Sequence, residues 1–221
     1  MIRTVLFDLD GTILDTNELI FQSFEYVWER KAWPTITRER LTPYMGGKLH
    51  DMFRETAGVE TDEDIAELIS LYREYNWAHH DELVRGFPNV REVLAELRAG
   101  GVRMGVVTTK IRKTSEMGLA LCGLSEFFET LVTIEDVANA KPHPEPVRKA
   151  LAAMGADAES TLMVGDSAAD LLSARAAGVR SVAVGWSIKR KEDLMRCEPD
   201  YWIDDIRELL GIVGLAEVER G

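Results

Sequence analysis

Apolar runs of strand length alternate with amphipathic stretches of helical period along most of this chain. Thr4-Val5-Leu6-Phe7 stands first, followed much later by Val102 to Val107, Thr130 to Ile134, Thr161 to Val164 and Ser181 to Val184. Short apolar runs rich in β-branched residues and bounded by turn residues predict buried strands. Tyr201-Trp202-Ile203 is a shorter sixth. Between them, Pro88 to Ala99 carries Val90, Val93, Leu94 and Leu97 at helical spacing and stops at Gly100-Gly101. Ile111 to Cys122 closes at Gly123, Pro146 to Met154 at Gly155, and Asp170 to Ala177 at Gly178. Glycine just past a periodic stretch is a helix stop. Asp205 to Leu215, with Ile206, Leu209, Leu210 and Val213, predicts a closing helix. Strand and helix in strict alternation imply right-handed crossovers, hence an α/β, Rossmann-like, doubly wound parallel sheet with helices on both faces.

Residues 15–83 break that rhythm. Phe21, Phe24 and Trp28 share one helical face, and Leu68, Leu71, Tyr72 and Tyr75 another, with no strand between them. The pattern predicts a helical insertion whose aromatic stripe is its own core, entered near Asp15-Thr16 and left near Gly86-Phe87-Pro88. The expected organisation is a catalytic core of residues 1–14 and 84–221 and a helical domain of residues 15–83. Composition narrows the function. With 221 residues, 46% hydrophobic and 29% charged, the chain is an ordinary globular protein. A net charge of −12 argues against a general nucleic-acid binder, which needs a basic surface, but not against a small anionic substrate met by a local cation or metal. Cys122 and Cys197 are too few for a disulfide framework and are expected to be buried small hydrophobes. No apolar stretch of about 20 residues and no apolar leader is present, so a cytoplasmic protein without membrane contact is expected, as monomer or weak homodimer.

Candidate chemistry gathers where strands end. In an open α/β sheet, ligands bind beyond the carboxyl ends of the strands. After the first strand comes Asp8-Leu9-Asp10-Gly11-Thr12, whose two alternating carboxylates are expected to point the same way, with Gly11 allowing a sharp turn. Two acids held together need a cation, and carboxylate and carbonyl oxygens suit Mg²⁺. After the next strands come Thr108-Thr109-Lys110, then Lys141-Pro142-His143-Pro144, then Gly165-Asp166-Ser167-Ala168-Ala169-Asp170. Taken singly, Asp170 reads equally as a helix cap, Lys141 as a solvated loop lysine and Thr108 as a strand residue. Together they bring acids, hydroxyls and a cation to one edge.

In order and spacing these four segments resemble the motifs of the haloacid dehalogenase superfamily, in its phosphatase branch, because Asp10 supplies the second acid that dehalogenases lack. The insert is similar to the cap domain of the phosphoglycolate phosphatase-like group. The resemblance implies Asp8 as nucleophile forming an aspartyl-phosphate, and Asp10 as general acid and base. It further implies Mg²⁺ held by Asp8, the main-chain carbonyl of Asp10, and Asp166. Lys141 would be the stabilising cation, and Thr108 with the Thr109 N–H would bind phosphoryl oxygens. Asp170 would orient Lys141 or stand behind the metal ligands. Asp8 to Ile20, Val107 to Lys110, Ala140 to Val147, and Tyr72-Arg73 through Asp81 are similar to the Bacillus-type pyrophosphatases, which implies inorganic pyrophosphate as substrate. Phosphoglycolate or another small phosphomonoester is the alternative. A phospho-receiver domain has adjacent acids and no insert, and a non-catalytic phosphate-binding protein on this fold would not need the full set.

In the cap, Lys48, His50 and Arg54 lie in or just beyond Tyr44-Met45-Gly46-Gly47-Lys48-Leu49-His50. With Lys110 they are expected to meet the far end of an anionic substrate; the competing reading is a solvated loop and helix face. His79 and His80 are expected at the surface or the cap interface, and no spacing suggests a zinc site.

Overall fold

The computed structural model describes residues 1–215; residues 216–221 of the expected core lie outside the described residues. Six parallel strands build the main sheet: β1 (Thr4–Phe7), β4 (Arg103–Val107), β5 (Thr130–Val132), β6 (Thr161–Gly165), β7 (Arg180–Val184) and β8 (Tyr201–Ile203). Their order is β5-β4-β1-β6-β7-β8, with β1 flanked on both sides. Side chains alternate between faces along each strand. Val5 and Phe7 of β1 therefore enter one cluster with Val93, Leu94 and Leu97 of α5 (Val90–Ala99) and Leu209 and Leu210 of α10 (Glu208–Val213). Leu6 enters the opposite cluster with Val147 and Leu151 of α7 (Glu145–Met154) and Ala174 of α8 (Ala168–Ala177). The remaining core helices are α6 (Arg112–Leu121) and α9 (Lys191–Met195). The expected doubly wound sheet is the observed one, with element ends displaced by one to three residues. Both faces are covered, so Val5-Leu6-Phe7 of β1 and Leu162-Met163-Val164 of β6 are buried and apolar on both sides of the sheet.

The insert joins this sheet through a ribbon the sequence pattern did not show. Strands β2 (Leu14–Asp15) and β3 (Arg85–Gly86) pair antiparallel at both crossing points. Two-residue strands carry no periodicity to read. Between them lie α1 (Asn17–Arg30), α2 (Arg38–Leu41), α3 (Leu49–Ala57) and α4 (Asp62–Leu83). Thr61 caps α4 by accepting from the Asp64 amide, and three acids follow in the first turn, where the helix dipole favours them. The aromatic stripe forms a separate cluster: Phe24 stacks at 4.7 Å from Phe53 and 5.3 Å from Tyr72, with Trp28, Ile65 and Leu68 around them. Tyr75 stands apart from it, hydrogen-bonded to Gln22.

Four side chains differ from expectation or resolve it. Cys122 and Cys197 are half-buried rather than buried, because each lies past the end of a short helix. His79 is exposed, whereas His80 is buried where α4 meets α6, its Nδ1 2.8 Å from Asp81. Among the described residues, no helix is long and apolar enough to cross a membrane.

Candidate active site

β1 hands over to a tight turn in which Leu9 O accepts from the amides of Thr12, Ile13 and Leu14. Gly11 sits at φ +80°, and a Cβ there would lie 2.6 Å from Asp166 Oδ2, so glycine is required for conformation and for room. Beyond this turn the two carboxylates that strand alternation placed together take different partners. Asp8 is buried, its amide still donating to Val164 O of β6. Asp10 lies past the strand end and is half-buried, accepting from Thr16 Oγ1 at 2.8 Å and Lys110 Nζ at 2.9 Å.

Lys141, in the loop before α7, is the buried cation beside Asp8. Its ammonium donates to Asp8 Oδ1 at 2.7 Å, Asp170 Oδ1 at 2.5 Å and Val107 O at 2.9 Å. Those three bonds use all three of its donors. Burial alone would lower its pKa; the Asp170 and Asp8 charges more than offset that and hold it above the ordinary lysine value. Asp170 divides its two oxygens. Oδ1 takes Lys141, and Oδ2 accepts from the Ser167 amide at 3.0 Å and Ser167 Oγ at 2.6 Å, the capping box that starts α8. Helix capping and lysine orientation are thus performed by one side chain.

Asp166 ends β6 one residue past Gly165. Its main-chain carbonyl accepts from Ser187 Oγ at 2.7 Å, while its buried Oδ1 has no hydrogen-bond partner among the described residues. One carboxylate oxygen each from Asp8, Asp166 and Asp170 lie within 4.8 Å of one another. The side chain of Asp10 stands outside this group. Burial pushes the Asp8 carboxyl up, to about 7, against the pull of Lys141, and the Asp170 charge adds to the rise. Burial likewise lifts Asp166 well above the usual carboxylate range, with Asp170 and Asp8 contributing. Three buried acids against one buried ammonium leave excess negative charge and an orphaned oxygen. An all-oxygen donor set of this kind fits a hard divalent cation.

Thr108 and Thr109 follow β4. Thr108 is buried, with its Oγ1 accepting from the Lys110 amide at 3.2 Å. The Thr109 hydroxyl is engaged by the insert, donating to Gly46 O at 3.0 Å. A cavity of about 280 Å³ lies between these strand ends and the insert. Asp8, Asp10, Thr108, Thr109 and Lys110 line it from the sheet side, and Gly46, Gly47, Lys48, His50, Arg73 and Trp77 from the insert side. Of the three insert cations expected here, Lys48 and His50 reach the cavity and Arg54 does not. Arg54 turns away along α3 to pair with the exposed Asp62 at 3.2 Å, which also lies 3.2 Å from His50 Nε2. The cluster is contiguous in sequence, but helical rotation splits it.

Two cations escaped the sequence reading. Arg73 shares one face of α4 with Ile69, Tyr72, Asn76 and Trp77, all lining the cavity; that mixed stripe at helical spacing was the available signal. Lys189 lies in the loop after β7, beside Asp166. Burial holds its pKa down, at about 8, although Asp166 and Asp170 pull it upward. Extending the strand-end argument to β7, the neighbour of β6, would have found it.

The Haloacid dehalogenase-like hydrolase family model matches residues 5–184. Over 212 residues the chain is 44% identical to pyrophosphatase PpaX of Bacillus mycoides (strain KBAB4), covering 96% of this chain and 97% of that protein. It is also 44% identical to PpaX of Bacillus cereus (strain AH820), covering 96% of each. Among solved structures, a haloacid dehalogenase-like protein of Bacteroides fragilis superposes with a TM-score of 0.90 at 26% identity, covering 95% of this chain and 100% of its own. A haloacid dehalogenase-like hydrolase of Streptococcus pneumoniae gives 0.84 at 26% identity, covering 96% and 98%. Family match, near full-length relatives and shared architecture agree: this chain belongs to the haloacid dehalogenase-like hydrolases.

Proposed function

We propose that this hydrolase splits inorganic pyrophosphate into two phosphates, with Mg²⁺ as its ion and residues 15–83 as a cap domain over a core of residues 1–14 and 84–221. The observation that carries the substrate is the cap side of the cavity. Lys48 and Arg73 line it, and neither has an ion pair or side-chain hydrogen bond among the described residues. Two unpaired cations opposite a buried nucleophile suit a second phosphoryl group better than a glycolate carboxylate, which carries less charge. The curated PpaX relatives are named for the same activity.

Asp8 uses a carboxylate oxygen to attack one phosphorus, forming the aspartyl-phosphate as the bridging P–O bond breaks. Asp10 gives a proton to the departing phosphate and then takes one from the water that hydrolyses the aspartyl-phosphate, restoring Asp8. Lys141 holds Asp8 in place and counters charge on the transferring group. Thr108 and the Thr109 N–H are donors to its oxygens. Asp8, Asp166 and the main-chain carbonyl of Asp10 would hold Mg²⁺, whose charge lets an anionic nucleophile meet an anionic substrate. Asp170, committed to Lys141 and Ser167, positions the lysine. The cap shields the cavity from bulk solvent while admitting the one water that the second step consumes. The acidic net charge and two free thiols favour a cytoplasmic setting.

A phosphate-release assay with Mg²⁺ tests the reading on pyrophosphate, phosphoglycolate and several sugar phosphates. Pyrophosphate is expected to have the highest kcat/KM, and chelator is expected to abolish turnover. Preference for phosphoglycolate would overturn the substrate, and full activity in chelator would overturn the ion.

A further inference from the structure

Segment 42–47 of the cap walls one side of the cavity, through Met45, Gly46 and Gly47. Two core side chains hold it by main-chain carbonyls. Thr109 Oγ1 donates to Gly46 O at 3.0 Å, and Lys189 Nζ donates to Thr42 O. The loop that carries Lys189 touches a different body with each successive residue. Trp186 Nε1 donates to Thr12 O, in the nucleophile turn, at 3.1 Å. Ser187 Oγ donates to Asp166 O at 2.7 Å and accepts from the Lys189 amide at 3.0 Å. Ile188 leaves the core and packs into the aromatic cluster of the cap.

We propose that Lys189 is a positioning residue, the end of a strap (residues 186–189) that joins the nucleophile turn and Asp166 to the cap and sets segment 42–47 over the substrate. Lys189 does not line the catalytic cavity; it opens onto a separate cleft of about 560 Å³ with Arg190 and Asp193. Its hydrogen bond acts on the cavity only through the segment it grips. A charged donor suits this place. A charge-assisted bond to a carbonyl is stronger than one from a neutral donor, and the Lys189 ammonium donates to Thr42 O. A neutral side chain of the same length would keep the apolar contact of Ile188 and lose the grip on Thr42.

Hydrogen exchange on the full-length protein, without substrate, reads the grip directly. The amides of Met45 and Gly47 bond to Thr42 O and Tyr44 O within the segment. In Lys189→Met, exchange across 42–47 is expected to accelerate about tenfold while the sheet is unchanged, since local opening is separable from global unfolding. Lys189→Arg, which keeps a charged donor, is expected to return exchange to within about threefold of the parent. With pyrophosphate and Mg²⁺, Lys189→Met is expected to raise KM about tenfold and leave kcat within about threefold, the mark of lost binding rather than lost chemistry. Unchanged exchange at 42–47 overturns the proposal. So does faster exchange spread over the sheet, which would make Lys189 a folding residue, or a fall in kcat at constant KM, which would place it in the chemical step. If the parent protein does not cleave pyrophosphate but the exchange pattern holds, the substrate reading fails and the strap stands.

Discussion

The sheet end and the cap treat their cations in opposite ways. Below the cavity Lys141 is buried and fully bonded, and Lys110 is tied to Asp10. Above it, Lys48 and Arg73 face the same space without partners among the described residues. Groups that take part in bond making must be held before the substrate arrives, because reorganisation during reaction adds to the barrier. Groups that capture the far end of a ligand can wait for the ligand to become their partner. The same charge therefore serves as fixed machinery on one side and as a receptor on the other.

The sharpest way to break that contrast is at Asp8, the proposed nucleophile. Asp8→Asn keeps the shape and should lower kcat by at least about 10⁴-fold, the scale of losing a nucleophile. Acid-stable incorporation of labelled phosphate should vanish with it, while the melting curve stays cooperative. Measurable phosphoenzyme in this variant would move the covalent step to another residue. Lys141→Met tests the fixed side through stability. It leaves the buried carboxylates of Asp8 and Asp170 without their ammonium, and breaking a buried pair from one side costs about 3–5 kcal/mol. Denaturant unfolding should show that loss, and added divalent cation should return part of it by supplying the missing charge. A variant as stable as the parent would mean that the three acids do not depend on Lys141.

These fixed groups are also the ones the sequence displayed. Asp8, Thr108, Lys141 and Asp166 each follow an apolar run, and in a parallel sheet the ends of neighbouring strands meet without any further folding information. Asp170 was legible as a cap before a periodic stretch; the structure places it three residues past Ser167, which is the N-cap itself. What could not be read depends on rotations rather than runs. Alternation along a strand suggested that Asp8 and Asp10 point together, and both line the cavity. It could not show that the turn at Leu9 leaves Asp10 with Thr16 and Lys110 as partners and Asp8 with Lys141. Arg54 and Arg73 exchange places for the same kind of reason: the axial rotations of α3 and α4 decide which charge faces the cavity. The ribbon of β2 and β3 is too short for a pattern, and the burial of His80 follows from where α4 crosses α6.

On the receptor side the effects should be smaller and fall on binding. Arg73→Ala should raise KM for pyrophosphate about tenfold, the size of one charge-assisted contact, and leave kcat within a few-fold. Phosphoglycolate, with a less charged distal group, should lose less. Equal losses for both substrates would mean that Arg73 contacts the phosphoryl group being transferred rather than the distal one.

Arg54→Ala is the smallest expected effect and the most useful control. Arg54 differs from Arg73 in neither charge nor domain, only in the face it occupies. Its guanidinium lies 3.2 Å from Asp62, whose side chain is 80% exposed, so solvent screens the pair. Exposed pairs of this kind contribute less than about 1 kcal/mol, and the variant should melt and turn over like the parent. Losing one positive charge from the cap also weakens the long-range field that draws in an anion, an effect that salt removes. A change in kcat/KM that disappears at high ionic strength would therefore assign Arg54 to steering. A rise in KM matching that of Arg73→Ala, and persisting in salt, would mean that the cap rotates on binding to bring Arg54 into the cavity, and the division between lining and solvated cations would no longer hold.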